Sequence, residues 1–159
     1  MKRISLGMSA LLLIIGLNGC SSTPEDMLKN SVKEYKECTI NGDSKCIASY
    51  SDPSLVELSG GINKFAENLQ KDLDKMKSKM KISMKINNID KIEKFAKTLQ
   101  ANIIITQTIE ILDEQMKEMM GEKIEQKETT IAISNDNGKT WYFTNKASQE
   151  LVKDLKNIK

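Results

Sequence analysis

The sequence predicts an α+β domain: helices first, then a mostly antiparallel curved sheet of three or four strands, then a short C-terminal helix. Three observations carry this. Apolar residues recur every three or four positions from Ile62 to Met80, then every second position at Ile82, Met84 and Ile86. A stretch from Thr98 to Leu112 is dense in β-branched side chains (Ile103, Ile104, Ile105, Thr106, Thr108, Ile109, Ile111), which pack well on a pleated surface. Asn135-Asp136-Asn137-Gly138 lies between two extended-type stretches and marks a hairpin, because Asn-Gly tolerates positive φ. Helices and strands segregated along a chain, rather than alternating, belong to the α+β class.

Residues 1–20 stand apart from this domain. Lys2 and Arg3 precede an apolar run from Leu6 to Leu17, shorter than the roughly 20 residues that a spanning helix needs. Charge, a short apolar stretch and then a small residue is the layout of a secretory signal. Leu17-Asn18-Gly19-Cys20 resembles the lipobox of bacterial lipoproteins. That resemblance implies cleavage after residue 19, a diacylglycerol on the Cys20 thiol and a further acyl chain on the new amine. The expected partner is a lipid bilayer reached through the acyl chains on Cys20, since several chains anchor stably where one does not. Ser21, rather than an acid, after the cysteine resembles the pattern for release to the outer membrane. The expected location is the cell envelope, on the periplasmic side of that membrane. Residues 20–23 form the lipidated cysteine and a short link, and residues 24–159 the single α+β domain.

The elements follow in order. Thr23 caps a helix, Pro24 suits its first turn, and Glu25 and Asp26 favour its positive end. Leu28, Val32 and Tyr35 then give it one apolar face through about Glu37. Asn41-Gly42-Asp43 breaks that helix, and Asp43 starts a short second one carrying Cys46, Ile47 and Tyr50. Ser51-Asp52-Pro53 repeats the cap-plus-proline start for Leu55, Val56 and Leu58. Gly60-Gly61 separates this from the longest periodic stretch, Ile62, Phe65, Leu69, Leu73, Met76 and Met80, predicted to be an amphipathic helix lying across the concave face of the sheet. Asn87-Asn88 interrupts the first strand, with Ile89 and Ile92 continuing it. Asp113 to Lys123 is a charged, methionine-rich hairpin connection with room for a helical turn. Ile124 to Ser134 is extended again, Thr140 to Thr144 closes the sheet, and Ser148 to Ile158 makes the last helix with Leu151, Val152, Leu155 and Ile158 inward.

This order of elements, with the late Asn-Gly-Lys-Thr-Trp-Tyr-Phe hairpin, resembles the cone-shaped fold of the nuclear-transport-factor-2-like superfamily, including the small bacterial lipoproteins that use it. A cystatin-like sheet wrapped on one helix is the nearest competitor. Residues 134–141, Ser-Asn-Asp-Asn-Gly-Lys-Thr-Trp, also match the Asp-box pattern familiar from sialidase propellers. One copy cannot make a propeller of several four-stranded blades. The motif is therefore read as a hairpin lock: Asp136 accepts backbone N–H bonds, Gly138 permits the reversal and Trp141 packs beneath.

Charge and residue supply limit the chemistry. The chain carries 24 Lys+Arg and 22 Asp+Glu, and loss of Lys2 and Arg3 with the leader leaves 22 of each. With balanced charge and 4% aromatics there is no electrostatic or stacking platform for nucleic acid, and none is expected as a partner. There is no histidine, hence neither the usual near-neutral base nor the commonest transition-metal ligand. Cys38 and Cys46 form an even pair in a chain expected to be exported, and read as a structural disulfide. Two thiolates fall short of four zinc ligands, and no metal or cofactor is expected.

Tyr35, Tyr50 and Gln107 are the candidate polar groups of a pocket between helices and sheet, none with an evident base beside it. Catalysis needs a base, a positioner and a stabiliser together, so the chain is expected not to be an enzyme. Two charge runs stand out: six lysines between residues 71 and 85, and seven acids between residues 110 and 128. Both read first as solvated faces. Three readings follow: a non-catalytic envelope lipoprotein binding a small apolar ligand or a protein partner, an envelope-assembly or toxin-immunity module without a pocket, and a small enzyme using the cone's cavity.

Overall fold

The computed structural model describes residues 22–157. The leader, Cys20 and Ser21 lie outside the described residues, as do Ile158 and the side chains of Leu151, Val152 and Leu155. Eleven elements follow one another: α1 (Pro24–Asn41), α2 (Ser44–Ser49), α3 (Pro53–Leu58), α4 (Ile62–Lys77), β1 (Met80–Ile89), β2 (Glu93–Phe95), β3 (Thr98–Ile111), α5 (Glu114–Met120), β4 (Lys123–Ser134), β5 (Tyr142–Thr144) and α6 (Lys146–Asn157). Among the described residues no helix is long and apolar enough to cross a membrane.

The helix starts are chemical. Thr23 and Asp26 form a reciprocal capping box at α1, and Asp43, Asp52 and Asp113 each accept a backbone N–H at α2, α3 and α5. Gly42, left-handed at φ +65°, ends α1. Cys46 is bonded to Cys38 with Cα atoms 5.7 Å apart, so the bridge staples α2 to the last turns of α1.

All strand pairings in the sheet are antiparallel, in the order β1-β3-β4-β5, with the short β2 pairing the start of β3. β2 brings the strands to five, one more than the expected three or four; its three exposed residues carry no alternation to betray it. The register between β1 and β3 shifts between Ile86 and Asn88, at the expected Asn-Asn interruption. A bulge there bends the strand and adds twist, which gives the sheet its concave side.

On that side lie the odd residues of β3, with Ala101, Ile103, Ile105 and Ile111 buried. β4 contributes its even residues Thr130, Ala132 and Ser134, so Thr129, Ile131 and Ile133 share the opposite, convex face. Leu28 and Val32 of α1 pack into the concavity with Met84, Trp141 and Phe143. The helix that fills the sheet is thus α1. The expected occupant, α4, buries only Ala66 fully and packs chiefly on α2, with lesser contact to α3 and β1, leaving Ile62 exposed. The apolar stripe of α4 is real, but α1 has taken the centre.

What holds α1 there is the β4–β5 hairpin. Asp136 Oδ1 accepts from the Ser134 hydroxyl (2.8 Å), the Lys139 N–H (3.1 Å) and the Thr140 N–H (2.9 Å), while its Oδ2 accepts from the Thr140 hydroxyl (2.6 Å). Partial burial pushes the Asp136 carboxyl up, but these donors outweigh it and bring it down to about 2. Trp141 is 2% exposed, and its indole N–H donates to the Gly138 carbonyl. Gly138 has φ +86°, and a Cβ there would meet Pro24 Cβ at 2.6 Å and Pro24 Cα at 3.0 Å. The turn therefore needs glycine both for its backbone angle and to let the first turn of α1 lie against it.

Two outcomes follow. Asp136→Ala should lower the unfolding free energy by about 1–3 kcal/mol, read by urea denaturation. The carboxyl titrates near 2 when folded against 3.8 as the reference value, so its contribution is complete above that reference and lost as pH falls through 2. The deficit of the variant must shrink across that window; a pH-independent deficit would show that the charge of Asp136 does not hold the turn. Separately, replacing both Cys38 and Cys46 by Ser should cost about 2–3 kcal/mol for so short a loop, and thiols titratable in the native oxidised protein would contradict the bridge.

Candidate functional site

Three aromatic rings from three elements meet above the sheet. Tyr35 of α1 lies 4.7 Å from Phe143 of β5 and 6.3 Å from Tyr50 at the end of α2, and the Tyr50 and Phe143 rings are 5.8 Å apart. Tyr50 also lends its backbone carbonyl to the Phe143 N–H, covering the free edge of β5. Burial raises the Tyr35 phenol, against a lowering contact with Thr39, and the Glu128 carboxylate raises it further. Burial and the hydrogen bond to charged Glu34 push the Tyr50 phenol up to about 12. Both phenols therefore stay protonated at neutral pH.

The Tyr50 hydroxyl donates to Glu34 Oε2. This corrects the expectation that no base stands beside these tyrosines. Glu34 lies one helical turn before Cys38 and Tyr50 one turn after Cys46, so the bridge brings the two together on adjacent helices. That symmetric offset from the cysteines was the available signal. Glu128 was missed as well, because its neighbours Lys127 and Thr129 mark the strand as polar while the pleat turns Glu128 inward opposite Ile105.

The three candidate pocket residues do not converge. Tyr35 and Tyr50 are brought together, whereas Gln107 is a half-buried residue on the concave face of β3, opposite Met84 of β1 and Gln126 of β4. The cone's centre is filled: Val32, Tyr35, Met84, Ile86 and Ile105 leave a void of about 10 Å³, near the lower limit for one water molecule. Tyr50 and Glu34 instead open onto an outer cleft of about 420 Å³, shared with Asn30, Ser31 and Lys139.

An opening with an apolar wall lies at the other end of α1. A groove of about 290 Å³ runs between the end of α1, the second half of α4 and the start of β1. Ile40, Leu73, Met76, Met80, Ile82 and Leu112 form its apolar wall, and Ile40 and Leu112 remain 42% and 45% exposed. Asp74, Lys77 and Lys81 stand at its margin. The size is at the lower end of small-molecule sites, which are concave, mostly apolar and carry a few polar groups. Among the described residues no group of three or more His, Cys, Asp or Glu side chains is placed to hold a metal ion.

No family model matches the sequence, and no curated protein matches it significantly. Solved structures do. A nuclear transport factor 2 (NTF2-like) superfamily protein from Salmonella enterica serovar Typhimurium aligns with a TM-score of 0.52 at 12% identity, over 77% of this chain and 87% of that one. A domain of unknown function with a cystatin-like fold from Nostoc punctiforme aligns at 0.46 and 8%, over 84% and 86%. An LEH-like epoxide hydrolase from M. tuberculosis aligns at 0.45 and 14%, over 85% and 96%. At these identities the likeness concerns the fold alone. The expectation that this chain is not an enzyme is corrected at its premise, since Glu34 stands beside Tyr50 and a base is present after all. The chain has the α+β, NTF2-like fold, with helices laid on a curved antiparallel sheet.

Proposed function

We propose that this protein is a bacterial envelope lipoprotein, tethered through acyl chains on Cys20, whose NTF2-like head binds a small apolar ligand in the groove between α1, α4 and β1. The observation that carries the binding part is the groove itself, where six aliphatic or methionine side chains line an open concavity. Exposed apolar surface rimmed by polar groups is costly in water and marks an interaction site. The tether rests on Lys2-Arg3, the apolar run from Leu6 to Leu17 and the Leu-Asn-Gly-Cys sequence ending at Cys20. Two residues separate Cys20 from Thr23, the α1 cap, so the head would sit close to the bilayer surface. Ser21 supports sorting to the periplasmic face of the outer membrane.

A second reading, docking of a protein partner, is favoured by α5, whose Met119 and Met120 are 79% and 49% exposed. Unbranched thioether side chains adapt to varied surfaces. A stoichiometric partner recovered from detergent extract, and lost on replacing both methionines by Ser, would favour that reading over ligand binding.

The tether has a direct test. Cys20→Ser should abolish labelling by a radioactive or clickable fatty acid and move the protein from the membrane pellet to the soluble fraction. Undiminished membrane retention of the variant would refute the anchor.

A further inference from the structure

We propose that the tip of the β2–β3 hairpin is a membrane contact: Phe95 enters the headgroup layer of the bilayer that holds the tether, with Lys94 and Lys97 beside it among the phospholipid headgroups. This rests on the reading of Cys20 as a lipid anchor and goes beyond it by naming the face of the head that meets the lipid.

Phe95 stands where a globular surface does not usually put an aromatic ring. Among the described residues every other aromatic side chain is buried or half-buried, whereas Phe95 is 51% exposed. It pairs with Thr98 across a turn of only two residues, Ala96 and Lys97, and the Thr98 hydroxyl donates to the Phe95 carbonyl at 3.0 Å. The ring is thus held at the tip, with no longer loop in which to fold back. Ala96 takes φ +53°, an angle at which Asn or Gly is the usual occupant.

The tip therefore reads Lys-Phe-Ala-Lys, two apolar side chains between two cations. The neighbouring acids are set back from it. Asp90 accepts from the Asn88 amide at 2.6 Å, and Glu93 begins β2. An aromatic ring between long cationic side chains suits the bilayer interface, where the ring sinks into the headgroup layer and the ammonium groups stay hydrated.

Position singles out lipid as the partner. Leu99 lies opposite Ser134, so the β2–β3 tip and the β4–β5 turn leave the sheet at the same end. β2 and β4 flank β3, which puts Phe95 about 10 Å, or two strand spacings, across the sheet from the start of that turn. Gly138 of the turn lies against Pro24, the first residue of α1. Only Ser21 and Ser22 separate Thr23 from Cys20, a reach of about 10 Å when extended. Met119 and Met120 of α5 follow the opposite end of the 14-residue β3, roughly 40 Å away. A short tether at one end brings Phe95, and not Met119, to the bilayer.

The test uses the full-length lipidated protein in nanodiscs of phosphatidylethanolamine and phosphatidylglycerol, with and without nitroxide-labelled lipid. An environment-sensitive NBD dye is attached at Ala96→Cys in one sample and at Met119→Cys in another. Both positions are exposed, and an unchanged melting temperature confirms the fold. The dye at position 96 should shift its emission to the blue and be quenched by the nitroxide, and the dye at position 119 should do neither. Adding Phe95→Ser to Ala96→Cys should remove most of the quenching while the protein stays on the disc. Quenching only at position 119, or equally at both, overturns the proposed face, and quenching at position 96 that survives Phe95→Ser overturns the role of the ring. A blue shift at position 96 without quenching shows that protein covers the tip, and overturns lipid as its partner. An unshifted, unquenched dye on a protein that stays on the disc overturns the contact and leaves the tether standing. Loss of the unsubstituted protein from the discs overturns the tether as well.

Discussion

The contact between Gly138 and Pro24 is the constraint on which the rest of the structure depends. There is no room for a Cβ between the β4–β5 turn and the first turn of α1. The turn is held from within by four hydrogen bonds to Asp136 and from beneath by Trp141, so it is a rigid stop rather than a flexible tip. A helix that begins against such a stop has its position set at one end. Leu28 and Val32 then fall over the concave face and lock its rotation. Everything on the helical side of the sheet is arranged around α1 so placed.

One consequence is the displacement of α4. Two amphipathic helices stand beside one concave surface, and Leu28 and Val32 of α1 already cover its centre. α4 keeps its stripe half-buried against α2 and the start of β1. A stripe that cannot be fully covered leaves an opening, and the groove is that opening. Its apolar wall is therefore a by-product of packing order as much as of composition.

The Cys38–Cys46 bridge plays a second, smaller role. By stapling α2 to α1 it brings Tyr50 over Tyr35 and Phe143 and sets its hydroxyl on Glu34. The result is an aromatic stack that closes the sheet edge and a phenol–carboxylate pair at the surface of the domain. The NTF2-like architecture puts side chains of both helices and strands within reach of one another. Which of them do chemistry is decided by local groups, not by the architecture.

By itself, the sequence determined the order of helices and strands apart from the short β2, the capped helix starts, the interruption at Asn87-Asn88, the turn centred on Asp136 and the pairing of Cys38 with Cys46. These are legible because each is a short-range signal, read from residues within a few positions of one another. Only the tertiary structure decided that α1 rather than α4 fills the sheet, that Ala132 faces inward while Ile131 and Ile133 face out, that Glu34 meets Tyr50, and that Ile40 and Leu112 border one apolar opening. Each of those depends on the separation in space of residues far apart along the chain. Hydrophobic spacing states that a face must be covered, but only packing settles which neighbour covers it.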